Sequence, residues 1–298
     1  MGELNGVKIM VLTRTLRYLL YRELWEHPLI WKIPVGLGLI NVLLCMASIV
    51  LGLNYLGVAD FNEFSLKVEG GELSFGEAES AEAFFKFFLF GFFLIGQLVT
   101  LSYVLSALYR EREDRSILFW KSLPVSDLMV VFSKAVIGLL VIPIIFWLGS
   151  AATALLVTGV IWIGLSIGTP FEFSLSLFYL VGIKSLISWL GMLLGQLIWG
   201  GPFFLWILLV SSTARSAPFL WAFGIPGLGY LIELTMFDGT PFFGWLWARA
   251  TPLPFASGEW APVSSSPALE PIGLLTSIFV AAVLFIAAVF ARRHFRDI

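Results

Sequence analysis

The chain has 298 residues, of which 59% are hydrophobic and 13% are charged, and its mean hydropathy is +0.93. Because ordinary soluble domains carry roughly 25% charged residues, a soluble fold of this composition would have to expose its apolar side chains to water. The composition therefore excludes a soluble domain and predicts an all-α polytopic membrane protein in contact with the lipid bilayer. The net charge is −2 and no basic patch accompanies the 28 Phe and 12 Trp, so we expect no nucleic-acid partner.

The N-terminal region mixes charged and apolar residues. Residues 1–30 contain no compact apolar core ending in an A-x-A-like site, so we predict no cleavable signal peptide and expect the N-terminus to be retained. Within this region, residues 7–28 place Arg and Glu among Leu, Tyr and Trp at helical spacing and stop before Pro28. This pattern predicts an amphipathic helix along the cytoplasmic membrane interface.

Six apolar runs then follow, each with the roughly 20 residues that a spanning helix needs. We predict spans at about 33–56, 84–109, 131–164, 185–212, 218–237 and 271–291. The third run is too long for one perpendicular crossing and should tilt or protrude. Lys184 divides the fourth run, so that 174–183 is expected at the interface and 185–212 across the membrane. No internal repeat is evident, and 1–298 is predicted to form one domain.

Two segments lie between spans and have their own composition. Residues 64–75 place Gly70-Gly71 between two short alternating runs, which is typical of a β-hairpin. Residues 238–270 are rich in Pro, Gly, Ser and Trp, and their secondary structure stays open. Both segments fall on the outer side if the N-terminus is cytoplasmic.

The placement of Lys and Arg predicts that orientation. With the N-terminus inside, six crossings return the C-terminus to the same side. That side then collects 14 of the 18 basic residues, namely Lys8, Arg14, Arg17, Arg22, Lys32, Arg110, Arg112, Arg115, Lys121, Lys134, Arg215, Arg292, Arg293 and Arg296. An odd number of spans would scatter these residues over both sides. We therefore predict six spans with both termini cytoplasmic.

Residue types that carry chemistry are scarce. The chain has no G-x-x-x-x-G-K-[ST] motif for ATP and no G-x-S-x-G motif. Its two histidines, His27 and His294, are far apart in sequence and Cys45 is the single cysteine. We therefore predict no metal site, no cofactor bound by this chain and no enzymatic activity. Glu233 is the only acidic residue expected within a span, and it either lies at the outer headgroup level or lines a pathway.

Six consecutive charges at 110–115 stand where the second predicted span ends. Each of them could belong to a solvated turn that anchors the topology. As a unit, the block contains two pairs of opposite charge at i,i+4, which favour a helix. These pairs are Glu111 with Arg115 and Arg110 with Asp114. We predict a helix whose acidic side chains, Glu111 and Glu113, face water.

An apolar run at 117–120 follows the charges and is too bulky for a solvated loop. Pro124 ends this helix, and Ser126 or Asp127 is well placed to cap the next one. The pattern predicts a short helix with a charged shoulder and an aromatic face. A cytosolic protein could bind such an element.

At these residues the sequence resembles a known family. The stretch "YREREDRSILFWKSLPVSDLMVVFSK", residues 109–134, is similar to the segment after the second span of ABC-2 type permeases, the membrane subunits of bacterial ABC exporters with a type V exporter-like fold. The turn "SSTARSAP", residues 211–218, is also similar, as is the layout of an N-terminal amphipathic helix and six spans. The chain departs from the family at Arg115–Ser116, where many members carry a Gly-Thr-like pair.

The resemblance implies the transmembrane permease subunit of an ATP-driven exporter in the bacterial cytoplasmic (inner) membrane. It implies a separate cytosolic ATPase subunit that holds ATP and Mg²⁺ and docks on a coupling helix at 110–123. It also implies a second permease chain, identical or different, with which this chain forms the substrate pathway. The expected coupling residues are Arg110, Glu111, Arg112, Glu113, Asp114, Arg115 and Lys121, with Phe119 and Trp120 as buried anchors.

Other functions stay open from the residues alone. A non-transporting membrane subunit that transmits force or a signal to an outer partner would use the same docking helix. A secondary transporter would need discontinuous helices in paired positions, and the candidates at 200–202 and 224–227 are adjacent rather than repeated. Gly191 and Gly195 allow close helix approach, either within the chain or between two permease chains. No residue indicates the substrate.

Overall fold

The structure is a computed structural model that describes residues 2–55, 64–68, 71–75, 77–122, 125–168, 175–236, 242–250 and 271–294. In chain order its elements are α1 (Gly2–Glu26), α2 (Leu29–Tyr55), β1 (Phe64–Val68), β2 (Gly71–Phe75), α3 (Glu77–Ala107), α4 (Tyr109–Glu113), α5 (Ser116–Ser122), α6 (Asp127–Val136), a π-helical turn (Ile137–Val141), α7 (Ile142–Gly168), α8 (Leu175–Trp199), α9 (Gly201–Thr213), α10 (Pro218–Met236), α11 (Phe243–Ala250) and α12 (Pro271–His294). Over the residues that the structure describes, the regular secondary structure is thus helical apart from one short hairpin.

Six helical segments are long and apolar enough to cross a membrane. They are Leu29–Ile49, Phe88–Glu113, Asp127–Ile163, Tyr179–Trp199, Pro218–Met236 and Pro271–His294. The prediction of an all-α fold with six spans is confirmed. The third span joins α6, the π turn and α7 over 37 residues. At about 1.5 Å per residue it is longer than a hydrocarbon core of about 30 Å, so it must tilt or protrude as expected.

The fourth span differs from its prediction. α8 continues past Lys184, whose side chain is exposed. The helix is interrupted at Gly200, and α9 begins at the next residue. The prediction that Lys184 divides the run and that 185–212 forms one span is therefore wrong. A lysine can carry its ammonium group away from an apolar surface without ending a helix. Pro202 cannot continue α8, because its ring would clash with the carbonyl four residues earlier, but it is tolerated in the first turn of α9.

The N-terminal helix α1 has two faces. It ends at Glu26, before Pro28, so the predicted helix at 7–28 is present with an earlier start. Leu19 and Glu23 are buried, whereas Tyr18 and Trp25 are exposed. A helix with one buried face and exposed aromatic side chains is the arrangement that the sequence pattern predicts.

The strands β1 and β2 form an antiparallel pair with Val68 opposite Gly71 and Phe64 opposite Phe75. The hairpin predicted at 64–75 is therefore present. The side of the membrane on which it lies stays a prediction. Within 238–270 the structure describes residues 242–250, which contain α11.

Contacts group the chain into two compact units. Unit 1 comprises Met1–Pro28, Gln97–Pro143 and Met192–Ile298, and unit 2 comprises Leu29–Gly96 and Ile144–Gly191. The core of unit 2 is aromatic, with the rings of Phe93 and Trp189 packed edge to face at 5.4 Å. This grouping does not decide whether 1–298 folds as one domain, which stays a prediction.

Unit 1 contains the charged block. In it, α12 packs along α9, and α6 contacts both α1 and α12. The π turn brings Gly138 against α3, where a Cβ atom would lie 2.6 Å from Cγ2 of Val104. The two segments approach this closely because residue 138 has no side chain.

Candidate docking site

The charged block folds as two short helices rather than one. α4 ends at Asp114, whose N–H donates to the carbonyl of Arg110 at 2.9 Å. Arg115 then adopts a left-handed backbone conformation with φ of 55°, and α5 begins at Ser116. The chain therefore bends after α4, and neither predicted i,i+4 pair, Glu111–Arg115 or Arg110–Asp114, is an ion pair among the described residues.

Glu111 points into unit 1 and is buried between two basic side chains. The Nζ atom of Lys134 in α6 lies 3.1 Å from Oε1 of Glu111. The Nη1 atom of Arg292 in α12 donates a hydrogen bond to Oε2 of the same carboxylate. All three side chains are nearly inaccessible to solvent. The expectation that Glu111 faces water is therefore wrong, because α4 presents this carboxylate to Lys134 of α6 and Arg292 of α12.

The ion pairs continue on both sides of Glu111. Lys134 donates to Oε1 of Glu23 in α1 at 2.8 Å, and the Tyr103 hydroxyl donates to Oε2 of Glu23 at 2.8 Å. At the other end, Nε of Arg292 donates to Oδ1 of Asp127 at 3.1 Å. We call the series Glu23–Lys134–Glu111–Arg292–Asp127 the buried ion-pair chain. It connects α1, α4, α6 and α12.

Burial and neighbouring charges together shift the pKa values of two groups at the end of α1, Glu23 and His27. Burial by itself would raise the pKa of Glu23, but the attraction and hydrogen bond of Lys134 and the hydrogen bond of Tyr103 outweigh it and hold the pKa below its usual value. Burial lowers the pKa of His27, against the attraction of Glu23, and Lys134 and Arg110 lower it further. At neutral pH, Glu23 is therefore ionised and His27 is uncharged.

The buried ion-pair chain makes the position of α4 dependent on its partners. Removing one member of a buried ion pair typically costs about 3–5 kcal/mol, because the other charge stays buried without compensation. Each of Lys134 and Arg292 neutralises a carboxylate on either side of it. The helix α4, the start of the third span and the end of the sixth span are therefore joined through these charges.

Arg112 joins α4 to a second element. Its Nη2 atom donates to the carbonyls of Ser211 at 2.7 Å and Ala214 at 2.8 Å, just where α9 ends. The hydroxyl of Ser211 accepts hydrogen bonds from the backbone N–H groups of Leu108 and Tyr109, both at 3.1 Å. The two stretches that carry the family resemblance, 109–134 and 211–218, thus contact each other.

The remaining predicted coupling residues form the outward surface of α4 and α5. The exposed side chains are Arg110, Glu113, Asp114, Arg115, Phe119 and Lys121, together with Leu118. Phe119 is 60% exposed. Trp120 is half-buried, since the guanidinium of Arg22 in α1 covers its ring at 3.6 Å from the centroid.

Sequence reasoning assigns no site role to Glu23, Lys134, Arg292 or Asp127. It counts Lys134 and Arg292 among the basic residues that predict the orientation. The sequence does contain one indication for Lys134. This residue lies inside the run predicted to span at 131–164, and a charged side chain in a span needs a partner. The identity of that partner depends on residues more than 100 positions away.

The burial of the Glu233 carboxylate is explained by backbone groups close to it in sequence. It is buried, and its carboxylate accepts hydrogen bonds from the backbone N–H groups of Phe242, Phe243 and Gly244 at 2.9–3.3 Å. These groups start α11, so the carboxylate caps that helix. A role for Glu233 in a pathway stays a prediction, and capping by itself accounts for its burial.

Among the residues that the structure describes, no group of His, Cys, Asp and Glu could hold a metal ion. Comparisons of the chain with protein-family models, with curated proteins and with solved structures give no match. What the sequence and the structure show together is a six-span helical membrane protein, a type of architecture consistent with a transporter.

Proposed function

We propose that the chain is the transmembrane permease subunit of an ATP-driven exporter and that α4 and α5 bind a separate cytosolic ATPase subunit. One observation carries the proposal. The element that resembles a coupling helix has an outward surface of charges and exposed apolar side chains, and its inward surface is joined to membrane helices by the buried ion-pair chain.

A coupling element needs both properties. It must offer a surface that a partner can bind, and it must move as one body with the helices that it drives. Leu118 and Phe119 supply apolar area, while Glu113 and Asp114 supply negative charge beside it. An apolar centre with a charged rim is the usual composition of a protein–protein interface.

ATP hydrolysis and Mg²⁺ binding are assigned in this proposal to the partner, since this chain has no P-loop motif. A second permease chain, of the same or a different sequence, would complete the pathway. Gly191 supports such a pairing, because it is exposed and a Cβ atom there would meet nothing within 4 Å in this chain. Small residues on an exposed face of a span permit close approach of another helix.

A non-transporting subunit that passes force to an outer partner would use the same docking surface, and transport assays with reconstituted protein separate the two. A secondary transporter fits less well. It would have discontinuous helices in corresponding positions. The helix is interrupted at Gly200, whereas α10 continues through Pro226. The candidate positions at 200–202 and 224–227 therefore do not form a matching pair of discontinuous helices.

The test is recovery of the ATPase subunit with variants of the outward surface. The partner would be taken from an open reading frame with a P-loop next to the gene. Glu113→Lys and Phe119→Ala should fold normally and recover less ATPase, the second by a loss of about 2 kcal/mol if the ring fills a partner pocket.

Leu128→Ala is the matched control, because Leu128 is similarly exposed but lies at the start of α6. It should recover the ATPase as wild type does. Full recovery with Glu113→Lys and Phe119→Ala would contradict the docking role of α4 and α5.

A further inference from the structure

The N-terminal helix leaves an open cleft of about 310 Å³ beside the start of the third span. Leu16 and Leu20 of α1 form one wall, and Ile137 and Val141 of the π turn form the other. Arg17 and Tyr21 of α1 lie along the same cleft. Its volume is at the lower end of the range of roughly 300–1,000 Å³ that is usual for ligand sites.

The π turn shapes this cleft. A π turn is wider than an α-helical turn and commonly occurs at functional sites. Here it places Ile137 and Val141 toward α1 while Gly138 packs on Val104 of α3. The π turn therefore both packs on α3 through Gly138 and lines the cleft beside α1.

The charge at the cleft is positive. Arg17 is exposed and lies over the ring of Tyr21 at 5.6 Å from its centroid. Tyr18 and Trp25, also exposed, lie on the same helix. Exposed basic and aromatic side chains on one amphipathic helix are typical of a helix that lies at the level of lipid headgroups.

We propose that this cleft binds one acyl chain of an anionic phospholipid from the surrounding bilayer, with Arg17 on its phosphate. Apolar walls would take hydration from a polar solute without replacing its hydrogen bonds. They suit a hydrocarbon chain, and the adjacent cation suits a phosphate. The cleft is too small for a partner helix, which is about 10 Å across with its side chains. This inference does not depend on the proposed function.

Photolabelling tests the site in the full-length protein in lipid nanodiscs. The probe is phosphatidylglycerol with a diazirine on one acyl chain, and labelled residues are located by mass spectrometry. We expect labels on α1 at 16–24 and on 139–141. Unlabelled phosphatidylglycerol should compete several-fold better than unlabelled phosphatidylcholine. Labelling that no unlabelled lipid reduces would mean general contact with the bilayer and would overturn the proposal.

Variants test the contact with the acyl chain and the contact with the headgroup separately. Leu20→Trp fills the cleft and should lower labelling there several-fold. Arg17→Gln should abolish the preference for phosphatidylglycerol, whereas Arg14→Gln, on the same helix but outside the cleft, should keep it. Equal effects of Arg17→Gln and Arg14→Gln would overturn the headgroup assignment. If Leu20→Trp does not fold, competition in the wild-type protein still decides whether the cleft is a site.

Discussion

Glu111 and Glu113 are two residues apart, yet the structure gives them opposite roles. Glu111 is buried between Lys134 and Arg292, whereas Glu113 is exposed. We predict that Glu111→Lys destabilises the protein by about 3–5 kcal/mol or prevents folding, because a third positive charge would be buried between Lys134 and Arg292 in place of the carboxylate that they share. Glu113→Lys should leave stability within about 0.5 kcal/mol of wild type, as is usual for exposed positions.

Size-exclusion profiles and thermal unfolding of the detergent-solubilised variants make this comparison. A monodisperse Glu111→Lys protein with wild-type stability would show that Glu111 is not held as described. The same two variants also separate folding from the proposed docking, since only Glu113→Lys should keep its fold while failing to bind the proposed ATPase subunit.

His27 makes the stability of the folded protein depend on pH in the mildly acidic range. Its pKa is lower in the folded protein than the usual 6.5, so the unfolded chain binds the proton more readily. Stability contributed by neutral His27 is therefore complete above pH 6.5 and is lost as the pH falls below it. We predict that unfolding temperature drops between pH 7.5 and 5.5 and that His27→Gln reduces this drop.

The matched control is His294→Gln, because His294 is the other histidine and its side chain is exposed. That variant should keep the wild-type pH dependence. An identical drop in wild type and in His27→Gln would mean that other groups, with Glu23 the first candidate at lower pH, cause the acid sensitivity.

At the scale of elements, the connection between α4 and α5 at Arg115 leads to a prediction about stability. Arg115 has φ of 55°, a conformation that costs a residue with a side chain roughly 1–2 kcal/mol and that glycine adopts freely. After the entropy that glycine loses on folding, Arg115→Gly should stabilise the protein by up to about 1 kcal/mol. Arg110→Gly, within α4, should instead destabilise it by about 1 kcal/mol.

Thermal unfolding of both variants checks the sign of each effect. Destabilisation by Arg115→Gly would mean that the arginine side chain contributes more than its backbone conformation costs. Many ABC-2 type permeases, the family of the proposed function, carry a Gly-Thr-like pair at this position. The measurement therefore gives the energetic cost of an arginine there.

Elements whose causes are local could be predicted from the sequence, and those with distant causes could not. The six apolar runs, the end of α1 before Pro28 and the hairpin around Gly71 depend on composition and turn chemistry over a few residues. The predicted position of the fourth span is wrong because Pro202, rather than Lys184, decides where the helix is interrupted. The burial of Glu111 was missed because it depends on Arg292, 181 residues later.

At the scale of the whole molecule, the orientation is the prediction to test first. Ser65 lies in β1 and Ser122 at the end of α5. In a Cys45→Ser background, a single cysteine at 65 should react with a membrane-impermeant maleimide from outside intact cells. A single cysteine at 122 should react only after the membrane is opened. Equal labelling of both positions from outside would contradict six spans with cytoplasmic termini.

The buried ion-pair chain also sets an order of events during synthesis. The ribosome adds Arg292 181 residues after Glu111, when the first five spans have already been translated. Until the sixth span enters the membrane, Glu111 and Asp127 lack a partner that the finished protein gives them. The nascent protein therefore holds an incomplete set of charges where α4, α6 and α12 meet, and the last helix completes the set when it arrives. A chain halted before that helix would present those carboxylates to the quality-control machinery of the cell.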